Sequence, residues 1–143
     1  MTEKNIVKEL GLDLSKKEDL YMLLNAITMS AAKIRAGNAM QGARAVKEYG
    51  LITPEMMLKT PYWTKVKLLN RNGYARFDES RGRFFEHNAK IVKDKYDSNL
   101  HNLLRDANHK PNKIKELLSE FKGVGPTASE MFIREIKPHL KLK

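Results

Sequence analysis

The chain has 143 residues, no cysteine and a net charge of +10, with 41% hydrophobic and 31% charged residues. That length suits a single domain, 1–143, around one core, and the lack of cysteine excludes disulfides, thiolate zinc sites, iron–sulfur clusters and cysteine nucleophiles. No apolar run is long enough to span a bilayer and Met1-Thr2-Glu3-Lys4-Asn5 has no signal-peptide pattern, so a cytoplasmic location without a membrane partner is expected.

Helix signals are dense and strand signals scarce. Ser15-x-x-Glu18 is a capping box, followed by Leu20, Leu23, Leu24, Ile27 and Ala31 at helical spacing, which predicts a helix over 16–34. Gly37 interrupts. Ala39, Met40, Ala43, Ala45 and Val46 then fit a second helix closed by Gly50. Thr53-Pro54 and Thr60-Pro61 each pair a cap residue with a proline at the first helical position, starting helices near 54–59 and 61–72, the latter stopped by Gly73. Tyr62 and Trp63, just after the second of these starts, are expected to pack in the core. A longer helix begins at 77–80 with Asp78 as its cap, and Phe84, Phe85, Asn88, Ile91, Val92 and Tyr96 recur at spacings of three and four. Leu100, Leu103, Leu104 and Ala107 make a short amphipathic piece. Pro111 restarts the chain, with Ile114, Leu117, Leu118 and Phe121 on one face, and Ala128, Met131 and Phe132 follow after a glycine-rich break. The tail 137–143 is basic and is expected to fray. The fold class is therefore all-α, a compact bundle of short helices with short connections.

Lys122-Gly123-Val124-Gly125-Pro126 is the most specific segment. Two glycines one residue apart permit a sharp turn and close approach of another molecule, and they precede a helix start, where free N–H groups and the positive dipole end suit a phosphate oxygen. Val124 is placed to plug between the flanking helices, while Lys122, Thr127 and Ser129 stand nearby. The alternative reading is a helix C-cap followed by an ordinary turn. Charge favours a polyanionic partner: residues 1–32 hold four lysines against five carboxylates, so residues 33–143 carry +11. Arg71, Arg76, Arg81 and Arg83 are either phosphate contacts or a solvated face. The histidines at 87, 101, 109 and 139 have no metal-ligand spacing and read as surface or capping residues.

The segment Phe121 to Ile133 resembles the helix-hairpin-helix of the endonuclease III and base-excision DNA glycosylase superfamily. Upstream, Leu23-Leu24-Asn25-Ala26-Ile27-Thr28-Met29-Ser30-Ala31 is similar to the family's first barrel helix, Ile52-Thr53-Pro54-Glu55-Met56-Met57 to its Thr-Pro-Glu short helix, and Asn72-Gly73-Tyr74 to the step before its following helix. The resemblance implies an endonuclease III-like core over 15–136, with the helix-hairpin-helix at 112–136. It implies double-stranded DNA as partner, held through phosphates at the amides of Gly123, Val124 and Gly125. It also implies a monovalent cation on the carbonyls of Ser119, Phe121 and Val124, no other cofactor, and association with the nucleoid.

Departures from the family pattern bear on catalysis. Thr127 stands where bifunctional members carry a Schiff-base lysine, and threonine cannot supply that amine. No aspartate follows Asp106, Ala32 replaces the base-inserting glutamine, Ser129 replaces the small alanine between the hairpin helices, and the four-cysteine cluster is absent. The expectation is a sequence-nonspecific duplex DNA-binding protein related to base-excision repair enzymes, without the usual lyase or glycosylase chemistry. Two alternatives stand beside it: a minimal repair glycosylase or endonuclease using Asp78, Glu79 or Glu130, and a protein–protein module of a repair complex.

Overall fold

From Leu20 to Met29 every residue of one helix is buried, so the centre of the molecule is a helix rather than a gap between helices. A helix apolar on all sides can satisfy itself only by being surrounded. The computed structural model describes residues 5–143; Met1 to Lys4, the beginning of the segment without a leader pattern, lie outside the described residues. The described elements are α1 (Ile6–Leu10), α2 (Lys17–Ser30), α3 (Ala36–Tyr49), α4 (Pro54–Lys59), α5 (Tyr62–Arg71), α6 (Asp78–Tyr96), α7 (His101–Asp106), α8 (Pro111–Leu118) and α9 (Pro126–Ile136). All regular structure among the described residues is helical, as the sequence patterning predicts. Helices α1, α3, α6 and α9 pack on α2, and α6 in turn carries α4, α5 and α7. One continuous apolar core runs from Ile6 to Ile136. No helix among the described residues is long and apolar enough to cross a membrane.

Local signals account for several boundaries. Thr53 caps α4 through its hydroxyl, which accepts from the Met56 amide at 3.1 Å, with Pro54 in the first turn. Gly50 ends α3 in the left-handed conformation, φ 102°. Helix α1 is too short to show a helical period in the sequence; its signals are the Asn5 side-chain cap and Gly11 at φ 64°.

Other boundaries differ from expectation, and two of them because nearby acceptors in the chain take the capping hydroxyls. The Ser15 capping box does not form. Ser15 Oγ donates instead to Asp13, the Asp19 carboxylate accepts the Asp13 amide, and α2 starts at Lys17 with no side-chain cap. Helix α2 also ends at Ser30, short of residue 34, and Gly37 lies inside the first turn of α3 rather than interrupting the chain. Thr60 is not an N-cap: its hydroxyl donates back to Met56 O at 2.8 Å, and α5 starts at Tyr62. Asp78 is the first residue of α6, following Phe77 as cap. Trp63 is 60% exposed, contrary to the core expectation, because Tyr62, Lys65, Val66 and Leu69, at i, i+3, i+4 and i+7, form the inward stripe of α5 and Trp63, one position on from Tyr62, lies about a quarter turn away from it. The tail docks instead of fraying: Leu140 and Leu142 pack against the core, and the Lys143 amide donates to His109 O at 2.8 Å.

Two buried groups tie helix ends to α6 and its approach. Lys65, 1% exposed, places its ammonium between Met57 O (2.9 Å), Thr60 O (3.0 Å) and the Glu86 carboxylate (2.7 Å), capping the end of α4 from α5. Tyr74 donates to Met29 O at 2.7 Å at the end of α2, and burial raises its phenol to about 12. Lys65→Met, which keeps the apolar stem but leaves both carbonyls without a donor, is expected to cost about 2–4 kcal/mol in urea unfolding. Tyr74→Phe is expected to cost about 1 kcal/mol at neutral pH, through the lost hydrogen bond to Met29 O, which keeps only the long 3.4 Å bond from the Ala32 amide. Since the folded-state value of Tyr74 lies above the ordinary 10, its contribution is fully present below pH 10 and is lost as pH rises through about 12. The wild type should therefore lose stability more steeply than Tyr74→Phe over that interval, measured by unfolding at stepped pH. Tyr21, also raised by burial, supplies alkaline sensitivity common to both.

Candidate nucleic-acid interface

Helices α8 and α9 pack on each other and are joined by residues 119–125. The connection is held from α6 by a side chain that is itself fully buried. Asn88 Nδ2 donates to Lys122 O at 2.9 Å, and its Oδ1 accepts the Lys122 amide at 2.8 Å. A carboxamide supplies one donor and one acceptor, so Asn88 satisfies both backbone groups of one loop residue at once. Phe121 and Val124 are buried on either side, which fits the plug role expected for Val124. Gly123 has φ 79°, and a Cβ there would stand 2.9 Å from Phe84 Cδ2. Phe84 is in turn stacked under Arg81, whose guanidinium lies 4.9 Å from the ring centroid. Arg81 also donates through Nε and Nη2 to Thr28 O at the end of α2, at 3.2 and 3.0 Å. The loop thus rests on α6 and on the C-terminal end of α2.

The two glycines differ. Gly123 is required by its left-handed backbone and by the Phe84 ring. Gly125 has φ −91°, is exposed, and has nothing within 4 Å of the place a Cβ would occupy. It is the N-cap of α9, with no side-chain cap and no acidic residue in the first turn. Among the described residues, the amides of Gly123, Val124 and Gly125 are paired with no acceptor. Lys122 and Thr127 are exposed beside them. Ser129 is not brought to this surface: it is 5% exposed, on the packed side of α9 with Ala128 and Phe132. The carbonyls of Ser119, Phe121 and Val124 accept no hydrogen bond from the described residues, so all three retain lone pairs for a monovalent cation.

The remaining sequence candidates scatter. Glu130 is exposed on α9 and bonded to Lys115 of α8. Asp78 accepts from Asn70 Nδ2 at 3.1 Å and from the Glu79 amide at 2.7 Å at the start of α6. Arg71, Arg76 and Arg83 are exposed, whereas Arg81 is committed to Thr28 and the Phe84 ring. His101 bridges Leu14 O and Asn99, a tying role. No group of three His, Cys, Asp or Glu side chains among the described residues is gathered as for a metal ion. Sequence reasoning misses Asn88 as the anchor of the loop: on a helical pattern it reads as one more core position, and only its partner, 34 residues away, reveals the role.

Comparison of the chain with protein-family models, with curated proteins and with solved structures returned no match.

The glycine asymmetry is testable without a ligand. Gly123→Ala is expected to destabilise by about 1–3 kcal/mol, from left-handed strain and the Phe84 contact. Gly125→Ala should stay within about 0.5 kcal/mol of wild type. Chemical denaturation of the two variants side by side measures the difference.

Proposed function

We propose that this protein binds double-stranded DNA without sequence preference, in the manner of the helix-hairpin-helix of base-excision repair enzymes, with the α8–α9 connection holding backbone phosphates. The observation that carries the reading is Gly125: an exposed glycine that neither its φ nor its neighbours require, at the uncapped start of α9, next to unpaired amides and an exposed lysine. A glycine without an internal reason leaves room for something external to approach the backbone. The +11 carried by residues 33–143 supplies the long-range attraction.

In this reading the amides of Gly123, Val124 and Gly125 donate to phosphate oxygens, Lys122 adds a charge-assisted contact, and Thr127 offers a hydroxyl. A monovalent cation on the carbonyls of Ser119, Phe121 and Val124 would bring positive charge to the same loop. Because phosphates carry no base information, binding is largely sequence-independent.

Duplex binding measured by fluorescence anisotropy should weaken steeply with salt. With about four to six phosphates neutralised, the log–log slope is expected at roughly −4 to −5. Gly125→Val should lower affinity while leaving the fold intact, and Lys122→Ala should flatten the slope by about one. No binding at low salt, or a folded Gly125→Val variant with unchanged affinity, would sink this reading.

A further inference from the structure

A second feature of the surface collects positive charge where a helix already supplies it. Lys33, Ile34, Arg35, Asn38 and Arg76 line one open cleft at the start of α3. Lys33, Arg35 and Arg76 are all exposed, and none of them forms an ion pair with a described residue. Among the described residues no carboxylate lines the cleft.

The cleft is built rather than incidental. Asn38 Nδ2 donates to Gly73 O at 2.8 Å, which ties the first turn of α3 to the loop carrying Arg76. Arg76 is steadied over the Phe77 ring, 5.2 Å from its centroid. Arg35 is itself the N-cap residue of α3, with no side-chain cap bond, and the first turn of this 14-residue helix contains no acid. The amides of Ala36, Gly37 and Asn38 are paired with no acceptor among the described residues.

Cations at a helix N-terminus oppose its dipole, and three of them around one cleft repel each other. Among the described residues no carboxylate offsets either cost. An anion offsets both, and a tetrahedral oxyanion matches a site that combines forked guanidinium donors with convergent backbone N–H groups.

We propose that the Lys33–Arg35–Arg76 cleft is a binding site for a phosphate group, distinct from the α8–α9 loop. The two border the same structural element: the loop rests on Thr28 at the end of α2, and the segment carrying Lys33 and Arg35 leads out of that end. As a subsite for a nucleic-acid backbone the cleft rests on the function proposed above; as a site for a free phosphate ester it does not.

The test has two arms. In the first, inorganic phosphate is titrated against sodium chloride at matched ionic strength and followed by amide NMR. The amides of Gly37 and Asn38 should shift saturably with phosphate and not with chloride, and the response should vanish in an Arg35→Gln/Arg76→Gln double variant. In the second, duplex DNA is titrated by anisotropy. The same double variant should bind roughly tenfold more weakly, with a salt slope less negative by about one. Lys33→Glu gives an independent check: it should raise the melting temperature in phosphate-free buffer by relieving repulsion, yet abolish the phosphate response. A response in both arms assigns the cleft to the nucleic-acid backbone. Saturable phosphate binding without duplex binding keeps the cleft, as a site for a small phosphate compound, and removes the function proposed above. Phosphate shifts no different from chloride, together with unchanged DNA affinity in the double variant, overturn the proposal.

Discussion

The paired hydrogen bonds between the buried Asn88 carboxamide and the backbone of Lys122 decide where the α8–α9 connection lies. Without them, the Lys122 carbonyl and amide would be left unpaired at the surface of α6, and the exposed Lys95–Glu120 ion pair would be the remaining polar tie from α6 to the loop among the described residues. With them, Val124 seats in the core, Gly123 is pressed to the Phe84 ring, and Gly125 is left outside. The exposed glycine, on which the proposed phosphate contact depends, is thus a consequence of an interaction made on the opposite side of the loop.

The same economy recurs wherever a helix ends inside the molecule. Short helices have many ends, and each end leaves backbone groups that its own turns cannot satisfy. Here side chains from other elements complete them: Tyr74 and Arg81 at the end of α2, Lys65 at the end of α4, and Glu135, which accepts the Val7 amide at the start of α1. All four are charged or titratable side chains, and the three buried ones, Tyr74, Lys65 and Glu135, would each be costly if its partner were lost. They fix the relative placement of helices whose apolar faces alone would allow sliding.

Positive charge divides along the same line. Lys65 and Arg81 are consumed by the fold, bonded to carbonyls and stacked on rings. Lys122, Lys33, Arg35 and Arg76 are exposed and form no ion pair with described residues, and they lie at two helix starts lacking acids in the first turn, α9 and α3. A protein could lower its self-repulsion cheaply by placing a glutamate at either start. That neither has one is the common electrostatic theme of the two proposed phosphate contacts.

The all-helical class, the Thr53-Pro54 start, the Gly50 stop and the apolar face that carries Ile114, Leu118 and Val124 inward were legible in the sequence, because they rest on periodicity and local backbone chemistry. So was the glycine pair as the break between α8 and α9. The differing roles of its members were not: whether a glycine is needed for φ or for space depends on Phe84, which reaches it only through packing. The same holds for Ser15 and Thr60, whose capping groups were drawn to other acceptors, for Trp63, turned outward by the neighbours that claimed the buried face, and for the tail, held by His109. Local chemistry states what each residue is able to do. Which of those options is taken is decided by competition between partners, near ones for Ser15 and Thr60 and distant ones for Gly123 and the tail, and only the tertiary structure brings the distant ones within reach.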